Sequence, residues 1–215
     1  MKAFVYVGGS IHPERITQGP TGNDLVIAAD SGYKNALACH AVPSLFIGDC
    51  DSYPASKLPP DLEQILLKPE KDLTDTQAAV QLALDRGATE VYLLGGLSGR
   101  LDHTLSNLAI LEHLTDLHIP SYIEDGQNRV RFLKNNSTLL AFSPYYHYLG
   151  LICVSEIAKG VDIHGCKYPL KNGKLLRSHQ FAISNELTGN CALISVRKGA
   201  LYLVESADAL PVKQS

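Results

Sequence analysis

The sequence predicts an α/β fold in which a mostly parallel sheet with flanking helices is followed by a smaller all-β domain of sandwich or jelly-roll type. Short, almost wholly apolar runs alternate with helical patterns in the first half, as expected for parallel strands that are covered on both faces. After about residue 125 the pattern changes. Short β-type runs are then divided by Gly, Asn, Pro and Ser, and no helical pattern interrupts them.

The first half contains five apolar runs that we interpret as buried strands. They span residues 2–8, 24–30, 44–49, 64–69 and 89–96. A helix is predicted over residues 74–88, because Thr74 is a suitable N-cap, Gln77 completes a capping box and Gly87 ends the pattern. A second helix is predicted over residues 101–114. Its sheet-facing stripe is expected to consist of three leucines at positions i, i+4 and i+7: Leu101, Leu105 and Leu108.

The second half contains seven β-type runs. They span residues 129–135, 137–143, 145–155, 160–170, 174–184, 191–199 and 200–206. We therefore expect two domains, residues 1–130 and residues 131–215. No low-complexity linker separates them, so the join is expected to be tight and to lie around residues 124–136.

The composition is that of an ordinary globular protein and excludes several classes of partner. The 215 residues are 45% hydrophobic and 19% charged, with a net charge of −3. No basic run suggests binding to nucleic acid, and no apolar run approaches the length that spans a membrane. The five cysteines are scattered and form no C-x-x-C pair, which predicts reduced cysteines and a cytoplasmic protein.

Charged residues follow four of the five predicted strands of the first half. Because the carboxyl ends of parallel strands lie at one edge of a sheet, where ligands of such sheets bind, we expect these side chains to gather there. The residues are Asp30, Asp49, Asp51, Asp72, Asp75, Arg100 and Asp102.

Asp49 and Asp51 are the most specific pair in this set. On an extended backbone alternate side chains point to the same side, so the two carboxylates would lie close together. Like charges at that distance resist joint ionisation unless a cation lies between them, and Mg²⁺ commonly takes one or two carboxylates together with substrate phosphates. The alternative is a solvated Asp-rich turn that includes Ser52 and Pro54.

The other candidates also have two interpretations each. Lys71 is either a solvated lysine or a charge that contacts a phosphate, and residues 95–99 are either a plain turn or a glycine-rich approach to a phosphate beside Arg100. Asp75 and Asp102 lie in first helical turns, where the helix dipole alone favours a carboxylate. The set as a whole favours metal-assisted phosphoryl transfer, since neither a P-loop nor a G-x-S-x-G motif is present.

An ordered set of motifs resembles the thiamine pyrophosphokinase family over nearly the whole chain, to about residue 205. The motifs are AADSGYKNAL, FIGDCDS, KDLTD, LGGLSGRLDHTLSN and FAISNEL, followed by ISVRKGALYLV. The resemblance implies an N-terminal α/β domain that binds ATP, a C-terminal β-domain that binds thiamine, and a homodimer. The implied reaction is Mg²⁺-dependent transfer of the diphosphate of ATP to thiamine, which gives thiamine diphosphate and AMP.

The resemblance also implies roles for residues at matching positions. The implied Mg²⁺ ligands are Asp49, Asp51 and Asp75, and these are implied to be catalytic together with Arg100 and Asp102. The implied ATP-binding residues are Asp30, Lys71, Asp72, Thr74, Gly96, Arg100 and His103. The implied thiamine-binding residues are Ser184 and Asn185. From the residues alone, a cap or core role for His103 is favoured over catalysis.

The chain departs from the family pattern at two places. Ser31 stands where the family usually carries a second glycine, so the approach of the backbone to the nucleotide is expected to differ there. The chain also has no Trp, whereas some relatives place an aromatic ring against the pyrimidine of thiamine. His179 and Phe181 are candidates for that place because they lie near the S-N-E motif.

Three alternative functions are compatible with parts of the pattern. A pyrophosphokinase of another heteroaromatic alcohol, such as a hydroxymethyl pterin, would not be expected to carry the C-terminal S-N-E domain. A catalytically silent nucleotide sensor would be expected to have lost a metal carboxylate. A nucleotidyltransferase would use the same acids on the α-phosphorus and release diphosphate instead of AMP.

Overall fold

The computed structural model describes residues 1–49, 53–68 and 72–208, and the chain divides into two compact units. The first unit comprises residues 1–126 and the second begins at Gln127. The strands of the first unit are β1 (Lys2–Tyr6), β2 (Leu25–Ala29), β3 (Leu45–Gly48), β4 (Glu63–Leu66), β5 (Glu90–Leu94) and β6 (Ser121–Glu124). Its α-helices are α1 (Gly32–Ala38), α2 (Asp75–Asp85) and α3 (Leu101–Asp116).

The six strands of the first unit form a parallel sheet in the order β4-β3-β2-β1-β5-β6. The central strands are buried on both faces: Phe4 and Val5, which are adjacent and therefore point to opposite faces, are both fully buried. This confirms the predicted parallel sheet and its five predicted strands, but the predicted burial of β4 is wrong: β4 is an edge strand, and Leu66 is 62% exposed. Helix α1 was not predicted, because its seven residues are too few to show a clear period. Strand β6 was not predicted, because its sequence SYIE is polar at both ends and forms no apolar run.

Helix α2 begins with the predicted capping box. The Oγ1 of Thr74 accepts a hydrogen bond from the backbone N–H of Gln77 (3.2 Å), and the Oε1 of Gln77 accepts one from the backbone N–H of Thr74 (2.9 Å). The helix ends at Asp85, and Gly87 follows it with a φ of +82°. Reciprocal satisfaction of two N–H groups fixes the first turn, which carries Asp75.

The predicted apolar stripe of α3 is wrong. Leu101 and Leu105 are 70% and 57% exposed, so they do not face the sheet. The helix instead buries a different face, on which the residues recur at i, i+3, i+4 and i+7: Asn107, Ile110, Leu111 and Leu114. The sequence did not reveal this face, because its first residue, Asn107, is polar and interrupts the apolar pattern.

The second unit is an antiparallel β-structure. Its strands are β7 (Asn128–Lys134), β8 (Ser137–Ala141), β9 (Tyr148–Cys153), β10 (Ile157–His164), β11 (Leu170–Leu176), β12 (Cys191–Lys198) and β13 (Ala200–Ser206). Strands β7, β13 and β9 form one group of antiparallel neighbours, and the order β11-β10-β12-β8 forms another sheet.

Side chains from both groups of strands form a single apolar core in this unit. Leu151 of β9 and Leu203 of β13 belong to the same cluster as Val161 of β10 and Ile194 of β12, and all four are at most 1% exposed. No helix lies in the described part of this unit, which confirms the all-β prediction. The predicted run 174–184 is a strand only as far as Leu176.

Two further predictions concern membrane-spanning segments and the state of the cysteines. No helix in the described ranges is both long and apolar enough to cross a membrane. The four described cysteines are free: Cys39, Cys153, Cys166 and Cys191. Burial raises the pKa of the Cys39 thiol to about 11, which keeps that thiol protonated and unreactive near neutral pH.

Candidate functional site

A cleft of about 500 Å³ lies at the carboxyl ends of the strands of the first unit. Its walls are the segments that follow β1, β2, β3 and β5, together with the N-terminal turns of α2 and α3. Open α/β sheets bind ligands at this edge, so the cleft is the leading candidate for an active site.

The cleft brings together seven of the residues that the sequence singled out: Asp30, Asp49, Thr74, Asp75, Gly96, Arg100 and His103. Asp72 is exposed and does not line it. Asp102 does not line it either, but it contacts Arg100, which does. Asp51 and Lys71 lie outside the described residues.

Asp30 has the most unusual geometry of the site. It follows β2 with a φ of +47°, a conformation that non-glycine residues seldom adopt. Its Oδ1 is buried and accepts no hydrogen bond from any residue that the structure describes. A Cβ added to Gly48 would lie 3.1 Å from the Cβ of Asp30, so the neighbouring strand end leaves little space. A buried carboxylate oxygen of this kind requires a donor, and a ligand in the cleft would supply one.

Asp49 and Asp75 supply two further carboxylates to the cleft from different elements. Asp49 directly follows β3, and Asp75 is the first residue of α2, where the capping box of Thr74 fixes it. Among the residues that the structure describes, no group of three His, Cys, Asp or Glu side chains forms a metal site. The residues present nevertheless fit Mg²⁺, which keeps several waters and needs only one or two carboxylates beside substrate phosphates.

Arg100 and Asp102 form a two-point ion pair at the start of α3. The Nε and Nη2 of Arg100 donate to the two carboxylate oxygens of Asp102, at 3.2 and 2.7 Å. Oδ1 of Asp102 also accepts the backbone N–H of His103 at 2.9 Å. The Arg100 guanidinium holds the pKa of Asp102 below its usual range. Both side chains are exposed, so the pair contributes little to stability, but it orients the guanidinium.

Sequence reasoning missed the turn after β1. Gly8 and Gly9 follow that strand and line the cleft, and Gly9 has a φ of +93°. Gly8 and Gly9 follow a strand, as the predicted charged residues do. They were not predicted because they carry no charge. Ser98 joins this turn to the one after β5, because its Oγ accepts the backbone N–H of Ser10 at 2.7 Å. Ser31, the departure from the family pattern, also lines the cleft.

Ser184 and Asn185 lie in the second unit, in the segment between β11 and β12. Asn185 is buried, and its side-chain amide forms hydrogen bonds with the backbone N–H and C=O of Tyr168 (2.9 and 2.8 Å). Its backbone pairs with that of Leu149 (2.8 and 2.9 Å). Ser184 has a φ of +56°. The S-N-E segment is therefore held rigidly, with the half-exposed ring of Phe181 close by in the chain.

Two family models match the chain, one in each compact unit. Residues 20–123 match the model described as thiamin pyrophosphokinase, catalytic domain. Residues 133–201 match the model described as thiamin pyrophosphokinase, vitamin B1 binding domain. Together these ranges cover most of the chain and include every motif on which the resemblance rests, except the last three residues of ISVRKGALYLV.

Individual relatives agree with these models over the full length. A thiamine pyrophosphokinase of Bacillus subtilis is 28% identical over 97% of this chain and 100% of its own length. The crystal structure of a thiamin pyrophosphokinase from Geobacillus thermodenitrificans is similar with a TM-score of 0.84 and 29% identity, covering 97% of this chain and 99% of that one. The crystal structure of the Bacillus subtilis enzyme gives a TM-score of 0.85 at 26% identity, covering 96% and 99%. The chain belongs to the thiamin pyrophosphokinase family.

Proposed function

We propose that this chain transfers the diphosphate of ATP to thiamine and releases AMP, with ATP bound in the cleft of the first unit. The observation that carries this proposal is the gathering of Asp30, Asp49, Asp75 and Arg100 beside glycine turns at one sheet edge. Carboxylates that can share a cation, a guanidinium and unhindered backbone N–H groups suit a triphosphate.

Mg²⁺ is the proposed cofactor, with Asp49, Asp51 and Asp75 as the residues that hold it. When bound, the ion would neutralise and orient the phosphate oxygens of ATP. Asp49 and Asp75 come from two different elements, so they can hold one ion from two sides. Asp72 and Lys71 are proposed to lie near the same phosphates, in the segment that leads into α2.

Arg100 is proposed to stabilise the charge that develops on the phosphates. In the reaction, the hydroxyethyl oxygen of thiamine forms a bond to the β-phosphorus while the bond from that phosphorus to the AMP oxygen breaks. The departing AMP gains negative charge, and a guanidinium at the mouth of the cleft offsets it. The ion pair with Asp102 limits the conformations of Arg100 before ATP binds. The hydroxyl proton leaves to a carboxylate of the site.

Thiamine is proposed to bind near Ser184 and Asn185 in the second unit. The hydrogen bonds of Asn185 to Tyr168 hold the segment in one conformation, which suits recognition of a rigid heteroaromatic ring. We further propose that the chain acts as a homodimer in the cytoplasm. The homodimer follows from the family resemblance. The cytoplasmic location is supported by the free cysteines of the described residues.

The experiment that tests the function is ³¹P NMR of the protein mixed with Mg-ATP and thiamine. We expect thiamine diphosphate and AMP in equal amounts, and a loss of at least 100-fold in rate for Asp49→Asn, which removes one carboxylate of the proposed metal site. Asp85→Asn is the matched control, since Asp85 is exposed at the other end of α2 and contacts Gln81.

Each other product pattern contradicts a specific part of the proposal. AMP without thiamine diphosphate would indicate another acceptor. Free diphosphate as the main product would indicate attack on the α-phosphorus and a nucleotidyltransferase. No turnover by a folded protein that binds ATP would favour a nucleotide sensor.

A further inference from the structure

Two buried asparagines of the first unit donate hydrogen bonds to the glycine turns of the cleft. Asn35 lies on α1, and its Nδ2 donates to the carbonyl oxygens of Val7 (2.6 Å) and Gly9 (3.0 Å). Asn107 lies on α3, and its Nδ2 donates to the carbonyl oxygen of Gly96 (3.0 Å). Both side chains are at least nine-tenths buried. Each amide thus fixes a carbonyl in a turn that follows a central strand.

The two turns are joined to each other as well. Strands β1 and β5 are parallel neighbours, and the backbone N–H of Gly96 donates to the carbonyl oxygen of Gly8 at 2.8 Å. A Cβ added to Gly95 would lie 2.5 Å from the carbonyl oxygen of Val7, and one added to Gly96 would lie 2.7 Å from the Nδ2 of Asn107. Only glycine allows the backbones and the two amides to approach so closely.

Fixing a carbonyl also fixes the N–H of the next residue. In a planar trans peptide the C=O and the following N–H point in opposite directions. Asn35 holds the carbonyl of Val7, so the N–H of Gly8 points away from α1. Asn107 holds the carbonyl of Gly96, so the N–H of Leu97 points away from α3. Neither N–H donates to an acceptor in the described ranges. Gly8 lines the cleft, and so do Gly96 and Ser98, the two neighbours of Leu97.

We propose that Asn35 and Asn107 are positioning residues, which orient the peptide planes of the two turns so that the N–H groups of Gly8 and Leu97 contact the phosphates of the nucleotide. This inference rests on the proposed binding of ATP in the cleft. Asn35 does not line the cleft and acts through the backbone, and Asn107, which does line the cleft, acts through the carbonyl of Gly96. Without the two amides, the peptide planes of the turns would no longer be held in the orientation that directs their N–H groups at an anion.

The test compares the affinity for Mg-ATP with the affinity for adenosine, measured by calorimetry. The variants are Asn35→Leu and Asn107→Leu, which keep the side chain's approximate shape, add no charge and remove the donor. We expect the affinity for Mg-ATP to fall about tenfold in each variant, the effect of one lost buried hydrogen bond, while the affinity for adenosine changes by less than twofold. The control is Asn23→Leu, at an exposed position of the same unit.

A purely structural role would give a different result. If the asparagines only support the fold, both ligands lose affinity by the same factor, or only the fraction of active protein falls, and the inference is overturned. The comparison does not depend on turnover. Loss of phosphate-selective binding in a protein that makes no thiamine diphosphate would support the inference and contradict the proposed function.

A second measurement uses the unaltered protein, in case a variant fails to fold. In protein labelled with ¹⁵N-glycine, we expect Mg-ATP to shift the amide proton of Gly8 downfield, because a phosphate oxygen is a strong acceptor. Adenosine is expected to leave this resonance nearly unchanged. Equal shifts with the two ligands would mean that the Gly8 N–H does not contact the phosphates.

Discussion

Asp30 departs from ordinary structure in both its backbone and its side chain. Among described non-glycine residues with positive φ, His40 and His118 directly follow the C-caps of α1 and α3, where a left-handed residue commonly ends a helix. Asp30 instead follows a buried parallel strand and lines the cleft. Strain of this kind persists where the surroundings enforce it, and it is common at functional sites. The backbone conformation thus coincides with a buried Oδ1 that lacks a hydrogen-bond partner among the described residues, and we propose that this oxygen accepts a hydrogen bond from the ligand.

Replacement of Asp30 by glycine is therefore expected to lower the affinity for the nucleotide without lowering the stability of the protein. Glycine adopts positive φ without steric cost, so Asp30→Gly is expected to leave the free energy of unfolding within about 1 kcal/mol of the original value. The affinity for Mg-ATP is expected to fall at least tenfold, because the variant loses a buried acceptor. Urea denaturation and calorimetry measure the two quantities.

His40→Gly is the matched control, since His40 has a φ of +54° at the end of α1 and does not line the cleft. It is expected to stabilise the protein by about 1 kcal/mol and to leave nucleotide binding unchanged. An Asp30→Gly protein that binds Mg-ATP normally would show that the orphaned oxygen has no part in the site.

At the level of elements, the sequence predicted the strands better than the helix faces. Buried parallel strands are apolar on both sides, so a short run such as residues 44–49 identifies β3 without knowledge of its neighbours. A helix face depends on what the helix packs against. Helix α3 turns Asn107 inwards because Gly96 offers it a carbonyl, and this partner lies eleven residues away in a turn. No period in the sequence could show that contact.

The same distinction explains which site residues were found. Asp30, Asp49 and Asp75 were predicted because charge at a strand end or helix start is visible in the sequence. Asn35 was missed because its role follows from two backbone carbonyls of a distant turn.

Strands β7 and β13 share a buried ion pair in the second unit. The guanidinium of Arg129 donates to both carboxylate oxygens of Glu205, at 2.8 and 2.6 Å, and Arg131 contacts the same carboxylate. Arg129 and Glu205 are directly opposite in the sheet and are at most 8% exposed. Removal of one partner takes away the closest opposite charge of a buried ion, which is far more costly than loss of a surface pair.

Glu205→Gln is expected to destabilise the protein by about 3–5 kcal/mol in urea denaturation. The matched control is Glu186→Gln in the same unit, because Glu186 pairs with Lys167 at 2.9 Å and both side chains are about half exposed. That substitution is expected to cost less than about 1 kcal/mol. Similar small losses in both variants would mean that other groups compensate the guanidinium charge left after the carboxylate is removed.

The chain divides into two units, and each of three apolar clusters of described residues lies within one unit. The chain passes from the first unit to the second between Gly126 and Gln127, and the two family models fall one on each side of this point. The change from helical to β-type patterns near residue 125 indicated this transition in the sequence. The assignment of residues 1–130 to nucleotide and of residues 131–215 to thiamine stays a prediction.

Hydrogen exchange tests this assignment of one ligand to each unit, because a ligand stabilises the structure to which it binds. At a concentration one hundred times its Kd, Mg-ATP should stabilise the native first unit by about 2.7 kcal/mol, which slows exchange through unfolding of that unit about a hundredfold. We expect slower exchange in peptides that contain β1, β2 and β5, and little change in peptides from β10 and β12. Thiamine is expected to protect residues 177–187 instead.

Equal protection of both units by Mg-ATP alone would contradict the assignment. Asp49→Asn should abolish the protection of the first unit by Mg-ATP if the nucleotide binds through the proposed metal site.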